Sequence, residues 1–493
     1  MASGTSVGIA NFSLVRQKIV LLCDKFGGGL CKSLAITGLV LYILHIFLSN
    51  HPCCQSSELF ASLRHGWNSY TRNSSSIAST TNISHIVFGI AGYAKTWRYR
   101  RHYIDAWWRP NKTRGYLWLD RAPTEFLPWP SSSPPFRVSE DTSRFKEYKH
   151  GTPFVIRIVR VILETFREEN KGVRWYVMAD DDTVLFVDNL VEVLARYDHN
   201  EYFYIGEKSE CVASNFDNSF EMAFGGAGFA LSYPLAKAVG RNLDGCIKRY
   251  PYLHGSDHIL QSCIADLGVS LTHERGFHQI DLHRDISGLL SAHPQVPLLS
   301  LHHLDVVEPI FPWMNRYESL NHLMEAAKVD PSRLLQQTIC YHKQSNWSFS
   351  ISWGYTAYIY EKIHPPSILE KPLQTFIPWR DTARPPYMFN TRPLSNNPCD
   401  APHFFFFESL EKASETQVVT SYIRRWPRKL AACLSSGNHS ADPISKIRVI
   451  SPAKRLHGIG RRRECCDITS VSGMNVTEVR YRACMKDEAV ALL

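Results

Sequence analysis

The tripeptide Asp180-Asp181-Asp182 stands directly behind a short aromatic and apolar run, Trp175 to Ala179. Three adjacent carboxylates leaving a buried strand repel one another. Their ionised forms are costly there without a compensating cation. Hard divalent ions such as Mn²⁺ or Mg²⁺ take carboxylate oxygens and keep places for substrate phosphates. The same triplet could also be a solvated acidic turn leading into the next helix. Downstream, Phe224-Gly225-Gly226-Ala227-Gly228-Phe229 sets three glycines in a four-residue run. That permits close backbone approach to a ligand, or simply a tight bend. His254-Gly255-Ser256-Asp257-His258 comes next. Ser256 can cap a helix carrying Ile259, Leu260, Cys263, Ile264 and Leu267, with Gly268 closing it. Asp257 then lies in the first turn, where the helix dipole favours its ionised form. Such a carboxylate can serve as a general base toward a substrate hydroxyl, or be an ordinary N-terminal helix acid.

These residues need a scaffold, and the pattern around them supplies one. His85 to Gly92 reads as a buried strand running into a small-residue turn. Thr96 to Trp108 has helical character that Pro110 ends, and Gly115 to Leu119 is a second strand. Thr152 and Pro153 open a helix whose apolar positions, Val155, Ile158, Val159, Ile162 and Phe166, fall at helical spacing. Trp175 to Ala179 is a strand, Asp188 can cap a helix through Tyr197, and Phe203 to Gly206 is another strand. Strands alternating with helices predict an α/β domain with a mostly parallel sheet. After Pro312 aromatic residues and short apolar runs dominate, which predicts a β-rich C-terminal module.

The chain has 493 residues and a net charge of +9. The excess is spread out, in short runs such as Arg98 to Arg101 and Arg461 to Arg463, so it is not a nucleic-acid footprint. Leu34 to Leu48 is mostly apolar, and Arg16, Lys18, Lys25 and Lys32 precede it. That order predicts one membrane span with a cytoplasmic N-terminus and a lumenal remainder. Asn73, Asn82, Asn111, Asn346, Asn438 and Asn475 each begin an Asn-x-Ser/Thr sequon beyond the span. Eleven of the 13 cysteines also lie beyond it, an odd number that leaves one unpaired within the monomer. No Cys-x-x-Cys motif pairs with a second, which argues against a cysteine-based structural zinc site.

Taken in order, Trp175 to Thr183, Phe224 to Phe229 and Gly255-Ser256-Asp257 resemble the fringe-like β-1,3-glycosyltransferases. His302 to Pro312, Ser352 to Tyr355 and Phe389 to Arg392 resemble in particular the plant fringe-related group, long catalogued as a domain of unknown function. The resemblance spans roughly residues 85 to 480 and rests on the order of the motifs together. It implies a GT-A-like fold: a Rossmann-type nucleotide-binding sheet with helices on both faces. It also implies Mn²⁺-dependent inverting transfer of a hexose or N-acetylhexosamine from a UDP-sugar to a glycan or glycoprotein acceptor. Asp180 and Asp182 would flank the donor diphosphate, with Asp182 as a metal ligand. A histidine completes the metal shell in relatives, and both His278 and His302 match. Gly89, Asp181, Gly225, Gly226 and Gly228 join Asp180 as candidates for holding the donor. Relatives carry two acids where this chain has Asp257-His258, so the base is Asp257 or His258. A neutral imidazole can also accept a proton.

The expected organisation is a cytoplasmic tail at 1–33, a signal anchor at 34–50 and a lumenal stem at 51–84. A glycosyltransferase domain at 85–312 and a β-rich module at 313–493 follow. The expected place is the Golgi membrane, with the catalytic part lumenal. The competing reading is a catalytically silent fringe-like protein that binds glycans or acts as a scaffold, and His258 is the feature that favours it. A metal-dependent phosphohydrolase lacks its second acidic cluster with bridging spacing.

Overall fold

Trp175, Val177 and Ala179 face one way along a strand while Tyr176 and Met178 face the other, and all five are buried. A strand buried on both faces belongs in the middle of a layered sheet. In the computed structural model this strand is central. The structure describes residues 80–490 apart from 147, 149–152, 435–439, 454–462 and 472–474.

The first sheet is built from β1 (Ile86–Ala91), β2 (Gly115–Leu119), β3 (Phe136–Val138), β4 (Trp175–Asp180), β6 (Tyr204–Gly206), β7 (Phe229–Ser232) and β8 (Leu271–His273). Its order is β3-β2-β1-β4-β7-β6-β8. The run from β3 to β4 is parallel, and β7 lies antiparallel to both β4 and β6. The α/β class with a parallel-rich, Rossmann-like sheet is therefore present, with one reversed strand. That reversal places the glycine run, which precedes β7, beside the end of β4 that carries the acids.

Helix α1 (Trp97–Asp105) follows β1, and α2 (Pro153–Arg167) precedes β4. Helix α3 (Val187–Leu194) follows the short strand β5 (Val184–Leu185), and α4 (Val212–Asp217) follows β6. Helices α5 (Tyr233–Arg249) and α6 (Ser256–Ala265) come after β7. Val155, Val159 and Ile162 of α2 share one core with Leu235 and Val239 of α5 and Ile259 and Leu260 of α6. The Cys246–Cys263 disulfide ties α5 to α6. The opposite face packs Trp97, Trp107 and Trp108 against Ile86, Phe88 and Val177. That core runs on into the C-terminal sheet without a break.

Two small pairings bring distant segments to the acidic end of β4. β5 pairs with β10 (Ser300–Leu301), with Leu301 opposite Val184, so His302 emerges beside the triplet. Strand β9 (Leu282–Arg284), helix α7 (Ser287–Ala292) and helix α8 (Arg316–Val329) complete this half.

The C-terminal part is β-rich. It comprises β11 (Gln337–His342), β12 (Trp347–Ser352), β13 (Thr356–Tyr360), the short helix α9 (Pro366–Leu369) and β14 (Phe376–Pro378), which pairs with β9. Then come β15 (His403–Lys412), β16 (Gln417–Ile423), β17 (Lys446–Pro452), β18 (Cys465–Val471) and β19 (Val476–Arg482). The eight-stranded order is β11-β12-β13-β15-β16-β17-β19-β18, and the Cys340–Cys466 disulfide joins its two outermost strands. Cys399–Cys433 and Cys465–Cys484 are also paired, and among the described cysteines Cys211 is free and buried.

The membrane placement requires correction. No helix among the described residues is long and apolar enough to cross a membrane. The longest of them, α5, has 17 residues and carries Lys237, Arg241, Asp244, Lys248 and Arg249; a span needs ~20 apolar residues. The tail expected at 1–33 and the span expected at 34–50 lie outside the described residues. The described structure therefore gives no support to a Golgi-membrane location or an N-terminal membrane helix.

Candidate active site

Asp180 is the last residue of β4, opposite Ala91 of β1. The chain then turns sharply. Asp181 N–H donates to the Ala91 carbonyl at 2.9 Å, and Asp180 N–H donates to Thr183 Oγ1 at 3.0 Å. The Thr183 hydroxyl donates to the Gly226 carbonyl at 2.6 Å, which locks the acidic turn to the glycine run. Asp181 and Asp182 are almost fully buried.

His302 lies against this turn. Its Nε2 is 3.2 Å from Asp182 Oδ1 and 4.0 Å from Asp180 Oδ2. One donor atom from each of Asp180, Asp182 and His302 falls within 4.8 Å of the others. Neither Asp182 oxygen, nor His302 Nδ1, has a well-formed hydrogen bond. Two carboxylates and an imidazole with spare donor capacity suit Mn²⁺ or Mg²⁺, so the residues present fit such an ion.

A cation from the protein also reaches the turn. Arg100 on α1 donates from Nη1 to Asp181 Oδ1 at 2.8 Å, and its Nη2 lies 3.1 Å from Asp182 Oδ2 and 2.9 Å from Asp305 Oδ2. Asp181 is thus turned toward α1 and away from His302. Burial, opposed by His302, pushes Asp180 up to about 7. Burial and the neighbouring Asp182 push Asp181 up to about 6. Asp182 goes the other way: despite its burial, His302 and Arg100 hold it well below the usual carboxylate range. His302 resists its own burial and rises to about 9 through Asp182 and Asp180. The His302 imidazole and the Arg100 guanidinium are the protein's own counter-charges to the acids.

The glycine run brings Asp257 to the same place. Gly228 has φ of +88°, a conformation that side-chain-bearing residues rarely adopt. A Cβ on Gly225 would fall 2.5 Å from Asp257 Oδ1, and one on Gly226 would fall 2.1 Å from the His302 ring. Both glycines are therefore required by contact with a site side chain. Gly89, Asp180, Gly225 and Asp257 line one small cavity of ≈ 30 Å³ at this end of the sheet. A Cβ on Gly89 would meet Met178 Cε at 2.3 Å and Thr165 Oγ1 at 2.6 Å, so that glycine also serves the packing of β1 against α2.

Asp257 sits in the first turn of α6, with Gly255 rather than Ser256 at the N-cap. Ser256 instead donates its hydroxyl to Asp257 Oδ1 at 3.3 Å. Enclosure raises the Asp257 carboxyl, and the Gly225 N–H pulls part of that shift back. A raised carboxylate is a stronger base than a free one. His258 occupies the next helical position, about 100° further round, and does not line the cavity. Burial lowers its basicity.

His278 lies elsewhere. Its Nδ1 is 2.8 Å from Glu210 Oε1, and His293 Nε2 is 4.0 Å from the same oxygen. Its backbone carbonyl accepts from His302 N–H at 3.1 Å, so the two histidines that the sequence left equivalent are backbone neighbours serving different clusters. Arg100, Asp305, Glu210 and His293 were not singled out from sequence. Arg100 lies in a basic run that reads as solvated surface, and no local motif links it to acids 81 and 205 positions away.

Residues 214–466, a little over half of the chain, match the family model described as "Protein of unknown function, DUF604". The chain belongs to the DUF604 family. The DUF604 match takes in the glycine run, Asp257, His278 and His302, and begins after the acidic triplet. A Mus musculus beta-1,3-glucosyltransferase is 29% identical over 177 residues, 34% of each chain. A Homo sapiens beta-1,3-glucosyltransferase is 31% identical over 160 residues, 31% of this chain and 30% of that one. The chain spans about a third of the length of these curated relatives. A solved structure described as "Crystal structure of a glycosyltransferase involved in the glycosylation of the major capsid of PBCV-1" covers 49% of this chain and 98% of its own. The two are 11% identical, with a TM-score of 0.26.

Proposed function

We propose that this DUF604 protein is a metal-dependent inverting glycosyltransferase. It moves a hexose or N-acetylhexosamine from a UDP-sugar to a glycan hydroxyl, with a β-1,3 linkage as the expectation. The observation that carries this reading is the meeting of Asp180, Asp182 and His302 with Asp257 across the glycine run. The partial similarity to two beta-1,3-glucosyltransferases supports it. Residues 85–312 would hold the chemistry, with 313–493 as an attached β-rich module.

Asp180, Asp182 and His302 would hold the ion. Bound there, it would neutralise the charge of the departing nucleoside diphosphate. Direct displacement at the anomeric carbon requires the acceptor hydroxyl to lose its proton as the new bond forms. Asp257 is the group placed to take it, its carboxylate oriented by Ser256 and the Gly225 N–H. Gly225, the half-buried member of the glycine run, has no side chain to keep the donor from its backbone.

One observation favours a second reading. Arg100 already compensates Asp181 and Asp182, as a purely structural acidic turn would require. The purified chain with a UDP-sugar panel, glycan acceptors and Mn²⁺ or EDTA separates the two. Acceptor-dependent and metal-dependent UDP release that Asp182→Asn abolishes supports the transferase. No donor binding, and no response of metal binding to Asp182→Asn, would leave the structural turn or a silent glycan-binding protein.

A further inference from the structure

We propose that Glu210, His278 and His293 form a second divalent-cation site, of the zinc class, on the wall of a cavity separate from the acidic triplet. Each residue presents one donor atom, and the three lie within 4.8 Å of one another. Glu210 Oε1 is 2.8 Å from His278 Nδ1 and 4.0 Å from His293 Nε2. Zinc held at ~2.1 Å in tetrahedral geometry sets its ligands ~3.4 Å apart. The two observed distances bracket that spacing, so small side-chain rotations suffice.

The donor set has the right chemistry. Two imidazoles and one carboxylate leave a fourth position open in a tetrahedral zinc site. The three residues line a cavity of ≈ 370 Å³ together with Lys208 and Arg275, which gives that position room. Glu210 and His278 are each about 5% exposed. Ile280 N–H donates to Glu210 Oε2 at 2.8 Å, which leaves Oε1 to face the two imidazoles.

A plain Glu–His hydrogen bond explains only part of this. It accounts for His278 Nδ1 and leaves His293 Nε2 facing the same oxygen at 4.0 Å, beyond hydrogen-bond reach. The cluster is also held firmly. Met388 N–H donates to the Glu210 carbonyl at 2.9 Å, and the Phe389 ring lies 4.2 Å from that of His293.

The test uses the full chain carrying Asp182→Asn, which removes the triplet as a competing site. After chelation and dialysis, zinc is added and bound metal is measured by equilibrium dialysis, with Co²⁺ absorption as the optical probe. One equivalent of zinc and visible Co²⁺ bands are expected. Adding His293→Ala should weaken zinc at least ~10-fold and bleach the bands. Glu210→Gln, close in shape, answers the same question if His293→Ala does not fold. Zinc absent from the Asp182→Asn chain, or unchanged by either second substitution, would overturn the site. Neither result bears on the transferase reading, which rests on other residues.

Discussion

Asp257 and His258 are adjacent in sequence and separated in space, so their substitutions should part cleanly. Asp257→Asn keeps the shape and the Gly225 contact while removing the base. We expect donor binding to persist and transfer to fall ~10²-fold or more. His258→Ala should stay near the parent rate, because that ring lies off the cavity. Single-turnover transfer beside donor titration checks both, and the reverse ranking would assign the proton to His258. The acidic turn and His302 predict a pH effect of definite sign. Asp180 and Asp181 rise from 3.8 to about 7 and about 6 on folding, and His302 rises from 6.5 to about 9. Between each pair of values the folded chain holds more protons than the unfolded one, so stability falls as pH rises. The fall spans about pH 4 to 7 for the acids and about pH 6.5 to 9 for the histidine. Mn²⁺ replaces the bound proton, so it should raise the melting temperature more near pH ~8.5 than near pH ~6. An equal rise at both, or one that Asp182→Asn leaves intact, would remove the ion from this site.

The glycine run acts as one element with two contacts. Gly226→Ala would drive a methyl into the His302 ring, and Gly225→Ala would drive one into the Asp257 carboxylate. We expect Gly226→Ala to lose Mn²⁺ binding, at a stability cost of ~1–3 kcal/mol from overpacking. Gly225→Ala should keep Mn²⁺ and lose transfer. Metal titration and rate measurements on the pair check this, and identical effects would mean that the turn merely collapses. The elements around this site were readable where punctuation was strong. Strand β4, the glycine run and α6 all stood out, because apolar periodicity and the φ preference of glycine are local signals. The reversal of β7 was not legible, since strand direction depends on a connection and not on a pattern. Nor was the choice between His278 and His302. The β5–β10 pairing puts His302 rather than His278 beside the triplet, through only two residue pairs. Arg100 was hidden for the same reason: its partners are set by tertiary packing.

At the scale of the whole molecule, a buried ion pair ties the segment after α8 to the far end of the C-terminal sheet. Arg333, just beyond α8, makes paired 3.0 Å hydrogen bonds to Glu464 next to β18, and its Nη1 donates to the Pro452 carbonyl at 3.0 Å. Both side chains are almost fully buried. Arg333→Ala would strand Glu464, and a loss of about 3–5 kcal/mol in urea unfolding is expected. A loss below ~1 kcal/mol would show that water reaches the pair. The disulfides carry a different consequence. Cys465 and Cys466 are neighbours in the chain, yet one is bonded to Cys484 and the other to Cys340. Sulfur and backbone thus form a covalent ring that includes everything from Cys340 to Cys466. A single proteolytic cut inside that ring opens it into a line without dividing it, so the nicked protein migrates as one species on a denaturing gel until a reductant is added.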